Sequence, residues 1–192
     1  MSFLILGLIV FLGAHSVRIF AGDWRDAQLA RLGQARWKGL YALVSLAGFG
    51  LLLYGFGLAR AEPVALWLPP HWTRHLTALL TLPAFILLVA AYVPGSHIKA
   101  VVGHPMVAGV KIWALAHLLA NGTLAAVTLF GAFLAWAILD FAWSRRRDRA
   151  VGRTYPVLGW SRDAMAIVIG LVAWALFALY GHLWLIGVRP FG

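Results

Sequence analysis

The sequence predicts an all-α membrane protein, a polytopic bundle of six hydrophobic transmembrane helices. Of its 192 residues, 62% are hydrophobic and only 11% are charged, whereas a soluble domain has about 25% charged residues. The apolar residues are gathered in blocks of about the 20 residues that a membrane span needs, with polar linkers between them. No internal repeat or separate soluble region interrupts this pattern, so residues 1–192 are interpreted as a single transmembrane domain.

Three apolar blocks occupy the first half of the chain. They cover residues 3–20, 39–59 and 75–93. The linker at 21–38 is polar and basic, and the one at 60–74 is rich in proline and tryptophan. The first block lacks the positively charged region that precedes a cleaved signal sequence, so we expect it to be retained as a span.

The second half contains a hydrophobic stretch, residues 106–143, that is too long for one span. At about 1.5 Å per residue a single helix would exceed 50 Å, against a hydrocarbon core of about 30 Å. Asn121-Gly122 is a typical turn dipeptide, and it divides the stretch into a fourth and a fifth helix that form a hairpin. The sixth block is 164–188.

The distribution of lysine and arginine supports the hairpin. With 106–143 as one span, the 16 basic residues would divide 8 to 8 between the two sides of the membrane. With the hairpin, linkers 18–38, 94–111 and 144–162 share one side and the division becomes 13 to 3. The positive-inside rule favours the second topology, with both termini outside. Lys111 could also mark the membrane boundary, which would make the first arm a re-entrant half-span.

Composition excludes several kinds of function. The basic residues lie between apolar blocks, where they contact lipid headgroups, so we expect a lipid bilayer as the environment and no nucleic-acid partner. With no cysteine, a metal would have to be held by histidine, methionine, tyrosine or carboxylate. Glycines are scattered through the spans and do not form a phosphate-binding loop, and serines and acids are too few to indicate a triad or a carboxylate relay.

Two of the seven histidines, His15 and His117, lie within apolar blocks. An ionisable side chain in a span usually faces the interior of the bundle and is a functional hypothesis by default. The alternative is a neutral imidazole that hydrogen-bonds to a neighbouring helix. His97, His104 and His182 have simpler explanations as interfacial or packed residues, and the roles of His97 and His182 are left open.

The two membrane histidines could bind the two faces of a haem iron. Gly109, Trp113, His117 and Asn121 are spaced four apart and share one helical face. Counted from Arg18 and Lys111, His15 and His117 both lie roughly 5–9 Å below the basic-side boundary. Phe11 and Trp113 could pack a porphyrin, and its propionates could meet Arg18, Lys111 or Arg36.

The same residues carry a family resemblance. The segment H-P-M-V-A-G-V-K-I-W-A-L-A-H-L-L-A-N-G, with G-A-H-S-V-R in the first span, resembles the NnrU family of bacterial membrane proteins. Y-A-L-V-S-L-A-G, W-L-P-P and the overall length agree, so the resemblance covers essentially the whole chain. It implies a protein of the bacterial inner membrane that is associated with nitric oxide and nitrite reduction in denitrification. With the charge distribution, both termini are then expected in the periplasm.

The resemblance extends to 15-cis-zeta-carotene isomerases, which are haem-b membrane enzymes. Their first-span H-S matches His15-Ser16, their W-x-x-x-H matches Trp113–His117, and their H-P matches His104-Pro105. The resemblance therefore implies haem b with His15 and His117 as iron ligands, and it adds His104 and Asn121 to Phe11, Arg18 and Trp113 in the cofactor-binding set. Ala114 replaces a cysteine of the isomerases, so isomerisation of a lipid-soluble polyene is not assumed.

Two other classes of function remain open. H-P-x-x-x-G before a helical hairpin is remotely similar to isoprenylcysteine carboxyl methyltransferases and sterol reductases, which use nucleotide cofactors, here over the 97–111 face. Alternatively, the protein is a non-catalytic membrane assembly factor, for example for the nitrogen-oxide reduction machinery. Whether the protein is an enzyme is therefore undecided from the sequence.

Overall fold

The computed structural model describes residues 1–191, and over that range the secondary structure is helical apart from one isolated antiparallel bridge between Ala65 and Thr123. The helices are α1 (Ser2–Phe20), α2 (Gly22–Leu32), α3 (Gln34–Ala61), α4 (Trp72–Ala90), α5 (His97–Val102), α6 (Pro105–Ala120), α7 (Leu124–Ala150), α8 (Trp160–Leu176), a π-helical turn (Phe177–Gly181) and α9 (His182–Ile186). The predicted all-α class is confirmed.

Within residues 1–191, five helices are long and apolar enough to cross a membrane: α1, α3, α4, α7 and the continuous segment Trp160–Ile186. Only 11–22% of each apolar window is buried inside the bundle, so most of the apolar side chains are left for lipid to cover. The predicted count of six is one too high by this criterion. α6 has 16 residues, about 24 Å at 1.5 Å per residue, which is short of a 30 Å core.

Although short, α6 connects the two ends of the bundle. At its start, His104 lies 2.9 Å from Asp148 near the end of α7. At its end, the Asn121-Gly122 turn joins the loop between α3 and α4, where the Leu66 amide donates to the Gly122 carbonyl across 2.7 Å. The predicted hairpin of α6 and α7 is therefore confirmed. A β-carbon on Gly122 would collide with the Trp67 carbonyl, so only glycine fits this turn.

Helices α1 and α3 are in close contact through glycines. A β-carbon on Gly7 would lie 2.7 Å from the Leu52 amide nitrogen, and one on Gly48 would lie 2.8 Å from that of Phe11. Gly55 meets the backbone of Leu4 in the same way. Small residues let helix backbones approach closely, which is a main source of attraction between helices in lipid.

The remaining helices pack in a row of neighbours. α7 contacts both α1 and α6, and α4 contacts both α6 and α8. Glycines again form the closest contacts: a β-carbon on Gly109 of α6 would lie 2.8 Å from the Ala84 carbonyl of α4, and one on Gly170 of α8 would lie 2.7 Å from Ile86.

The basic linkers lie at one end of the bundle, which we call the basic end. It comprises the last residues of α1, α4 and α7 and the first residues of α3, α6 and α8. Arg147 of α7 donates to the backbone carbonyl of Arg18 there. At the opposite end, Arg60 of α3 donates to the carbonyl of Ile186 at 2.7 Å. These contacts agree with the alternating directions that the charge distribution predicted.

Candidate functional site

A cavity of about 620 Å³ opens at the basic end. Residues of α1, α2, α3, α5, α6, α7 and the linker before α8 line it. Three of the predicted site residues, His15, Arg18 and His104, are among them. The volume is within the roughly 300–1,000 Å³ of small-molecule and cofactor sites. The structure therefore brings these three residues to a space of suitable size.

The ring of His15 is held in one orientation by its own helix. Its Nδ1 lies 2.7 Å from the Phe11 carbonyl oxygen, and a carbonyl can only accept, so Nδ1 carries the proton. The neutral ring then presents Nε2 with a free lone pair. A backbone carbonyl on the far nitrogen is a common arrangement for a metal-bound histidine. Phe11 stacks on this ring at 4.2 Å between centroids and does not line the cavity.

Trp136 forms a wall of the cavity beside His15. The two rings are edge to face, with centroids 5.9 Å apart. The indole Nε1 of Trp136 is buried and has no hydrogen-bond partner among residues 1–191. A buried donor without a partner costs about 1–3 kcal/mol, so an acceptor group that reached this N–H would bind it favourably.

The cavity is strongly basic. Only one acidic residue, Asp140, lines it, and its basic residues are Arg18, Arg25, Lys38, Lys99, Arg147 and Arg153. This excess suits an anionic ligand such as a carboxylate or a phosphate. Neither Lys111 nor Arg36, the other predicted propionate partners, lines the cavity. The Lys111 ammonium instead lies 3.8 Å above the Phe141 ring.

His104 reaches the cavity from the residue before α6. Its Nε2 lies 2.9 Å from Asp148 Oδ2, and the Tyr155 hydroxyl donates to the same oxygen at 2.7 Å. Burial, followed by the hydrogen bond to Asp148, raises the pKa of Tyr155. Sequence reasoning missed Asp148 and Tyr155, because a single acid within the run R-R-R-D-R resembles a solvated helix end.

The other predicted residues form a second group. The His117 Nδ1 lies 2.9 Å from the Trp113 carbonyl, which repeats the arrangement at His15. Its ring packs on Phe130 at 4.7 Å and on Trp113 at 5.1 Å. Asn121 donates to the His117 carbonyl at 2.8 Å and so caps the end of α6. None of Trp113, His117 and Asn121 lines the cavity with His15.

The two histidines lie at different depths. His15 packs on Trp136 and His117 on Phe130, and these positions are about 9 Å apart along α7. The equal-depth estimate was wrong because it took Lys111 as the boundary, whereas α6 begins six residues earlier, at Pro105.

Aromatic rings stand between the two groups. Phe133 contacts Phe11 at 5.7 Å and Trp113 at 5.5 Å between centroids. A haem held by both histidines would require these contacts to open. The assignment of His117 as an iron ligand therefore stays a prediction.

His97 and His182 have structural contacts. His97 Nδ1 lies 2.6 Å from Asp163, and its ring stacks on Trp160 at 4.0 Å, so it joins α5 to α8. His182 Nδ1 lies 2.7 Å from the Val188 carbonyl, near the end of the chain. Among residues 1–191 no group of three or more histidines and acids is arranged to hold a metal ion. A haem iron takes only one or two protein ligands, so the haem hypothesis does not depend on such a group.

Comparison with known proteins places the chain in a family. The profile described as "NnrU protein" matches residues 3–190. Neither the curated proteins nor the solved structures include a significant match. Because the profile covers nearly the whole chain, including both membrane histidines and the hairpin, this multi-pass membrane protein belongs to the NnrU family.

Proposed function

We propose that this protein binds haem b in the cavity at the basic end, with His15 as a ligand of the iron. The observation that supports this most directly is the state of His15. Its Nδ1 proton is committed to the Phe11 carbonyl, which leaves Nε2 as a lone-pair donor beside a cavity of about 620 Å³.

The residues around His15 fit the rest of such a group. Arg18 and Arg147 line the same cavity, and their guanidinium groups suit the two propionates. The unpartnered indole N–H of Trp136 provides a further donor. Bound there, haem b would supply an iron that can bind a small ligand or exchange an electron. The protein's own contribution would be to hold the imidazole and neutralise the carboxylates.

The cavity favours a nitrogen-oxide function over isomerisation of a polyene. Charged residues surround it, and a long apolar polyene would gain little there compared with lipid. Ala114, at the position of the isomerases' cysteine, is fully buried and does not line the cavity. We therefore assign the protein to nitric oxide or nitrite metabolism, as the family resemblance implies.

The absorption spectrum of the purified protein tests the haem assignment. Protein from haem-replete cells is expected to show a Soret band that His15→Gln abolishes. His71→Gln, in the exposed loop before α4, is the matched control and keeps the band. A colourless wild-type preparation would contradict the proposal. His117→Gln distinguishes His15 alone from His15 and His117 together as iron ligands. If the variant retains haem, His15 does not need His117; if it loses haem, the result supports ligation by both histidines.

The orientation in the membrane follows from charge. From the 13 to 3 division of lysine and arginine we infer that the basic end faces the cytoplasm and both termini the periplasm of the bacterial inner membrane. A C-terminal fusion to alkaline phosphatase should be active, and a fusion to green fluorescent protein should be dark. The reverse pattern would overturn this orientation and would place the cavity on the periplasmic side.

A soluble nucleotide cofactor is the second candidate, because the same basic cavity would suit its phosphates or carboxylate. Lys99 and the residues 103–107 line it, which is the face that the methyltransferase and reductase comparison indicated. Calorimetry with S-adenosylmethionine and with NADPH tests this candidate, and absence of binding by both rejects it. If the protein binds neither haem nor nucleotide and still functions in vivo with glutamine at His15 and His117, it acts as a non-catalytic assembly factor.

A further inference from the structure

A carboxylate–histidine pair lies in the wall of the cavity, and the proposed iron ligand does not account for it. His104 and Asp148 are 44 residues apart in sequence, and their side chains are only 20% and 12% exposed. The Tyr155 hydroxyl donates to the same oxygen of Asp148 at 2.7 Å. Asp148 is thus held from two sides and cannot turn freely to solvent.

This geometry settles which nitrogen of His104 is available. The carboxylate of Asp148 accepts a hydrogen bond from Nε2–H, so in the neutral ring Nδ1 carries the lone pair. A buried carboxylate in this position orients the imidazole and stabilises the imidazolium when it forms. His104 can therefore gain and release a proton at Nδ1 while Nε2–H remains bonded to Asp148.

A second cavity, of about 540 Å³, lies on the other side of the group formed by His104, Asp148 and Tyr155. Asp148 lines it, Tyr155 lines both cavities, and His104 lines only the first. This group of three residues consequently lies between the His15 cavity and the second cavity at the basic end of the bundle.

We propose that His104 is the proton-exchanging residue of the His15 cavity, with Asp148 and Tyr155 as its positioning residues. The inference rests on the proposed function, because reduction of a nitrogen oxide consumes protons. In each exchange the Nδ1–H bond of the imidazolium breaks, its electron pair stays on the ring, and the proton passes to a ligand in the cavity. Water at the basic end returns a proton to Nδ1.

The charged groups around His104 come from several elements. Two acids and five bases share its surroundings: Asp140, Asp148, Arg145 and Arg147 from α7, Arg18 from α1, Lys99 from α5 and Arg153 from the linker. Tyr155 also faces the ring, with centroids 6.3 Å apart. Apart from His104 itself and the control, the experiments replace only Asp148 and Tyr155 and leave the other charged groups near His104 unchanged.

The first experiment measures the reduction potential of the haem-loaded protein as a function of pH. In the wild type we expect a pH-dependent potential, and His104→Gln is expected to remove the dependence. Asp148→Asn is expected to change the pH dependence of the potential, and Tyr155→Phe is expected to weaken it. His97→Gln is the matched control, because His97 is also paired with an aspartate, Asp163, but does not line the cavity. Equal pH dependence in wild type, His104→Gln and His97→Gln would overturn the inference.

The second experiment does not require haem. Diethyl pyrocarbonate reacts with a histidine only while its imidazole is uncharged. Mass spectrometry of peptides measures the rate of modification at each histidine separately. Loss of the Asp148 charge destabilises the imidazolium, so His104 is expected to react several-fold faster near neutral pH in Asp148→Asn while His97 is unchanged. An unchanged rate at His104 contradicts the role of Asp148. A protein that binds no haem but gives the expected rates would refute the proposed function and still support the proton-exchanging pair.

Discussion

Trp136 lies edge to face against His15, with ring centroids 5.9 Å apart, and its buried indole N–H has no partner among residues 1–191. The contact joins α7 to α1 at the wall of the cavity. It places a donor without a partner next to His15, the membrane histidine that lines that cavity. If the proposed ligand carries an acceptor group, this N–H is a donor that the group could satisfy.

Replacing Trp136 by phenylalanine should weaken ligand binding without harming the empty protein. The change removes a donor that is unsatisfied in the absence of ligand and keeps an aromatic ring beside His15. We expect haem affinity to fall about 5- to 100-fold, equivalent to roughly 1–3 kcal/mol, and thermal stability of the apoprotein to be equal or higher. Haem titration of apoprotein in nanodiscs measures the first, and Trp24→Phe in the exposed helix α2 is the control. Equal affinity of both variants would show that the N–H of Trp136 does not meet the ligand.

Arg18 should contribute electrostatically to holding an anionic ligand. Its side chain lines the cavity, so Arg18→Gln is expected to lower haem affinity by about 5- to 10-fold and to reduce the salt dependence of binding. Arg31→Gln provides the comparison, because Arg31 is an exposed residue of α2 that does not line the cavity. If the two variants behave alike, net charge at the basic end rather than a specific contact governs binding.

The glycine contact between α1 and α3 should be sensitive to a single methyl group. Gly55→Ala places a β-carbon against the backbone of Leu4, where nothing flexible can move aside. We expect a loss of about 1–3 kcal/mol in stability. Gly57→Ala, two residues away and with no atom within 4 Å of the added carbon, should be neutral or stabilising by up to about 1 kcal/mol. Thermal unfolding in one detergent compares them, and equal melting temperatures would contradict close packing at Gly55.

Tyr155 should give the protein a stability change at high pH. Burial, the hydrogen bond to Asp148 and its negative charge raise the pKa of Tyr155 above 10.0. The folded state therefore favours the neutral phenol, so this contribution to stability is complete below the ordinary pKa and is lost as pH rises through the raised value. The phenolate absorbance of the wild type minus that of Tyr155→Phe should contain one late-titrating component. A difference that titrates at the ordinary pKa would mean that the Asp148 contact is absent in solution.

Several features of the fold were predictable because their signals are local. Block length, the turn at Asn121-Gly122 and the one-sided distribution of basic residues depend on composition along the chain, and the hairpin of α6 and α7 is present as expected. The length of α6 was harder to predict. Whether its 16 residues are enough to connect the two ends of the bundle depends on where the neighbouring loop at Ala65–Trp67 meets the Asn121-Gly122 turn. Hydropathy does not encode this contact.

The candidate site was only partly predictable for the same kind of reason. His15 and His117 stand out as polar residues in apolar blocks, and each indeed bonds through Nδ1 to the carbonyl four residues earlier. Their relative depth required knowing where each helix begins. Lys111 was a misleading marker because its ammonium rests on the Phe141 ring inside the bundle and does not mark the helix start.

The amino-acid sequence alone was enough to identify a multi-pass helical membrane protein of the NnrU family with two histidines inside its apolar blocks. Hydrophobic block length and residue identity carry that information without reference to packing. The packing of the helices was needed to show that His15, Arg18 and His104 share a cavity while His117 lies apart behind Phe133. It was also needed to show that Asp148 and Tyr155 hold His104. These relationships depend on how glycine contacts set the spacing and register of neighbouring helices, and a shift of one or two turns in any of them would assemble a different set of side chains.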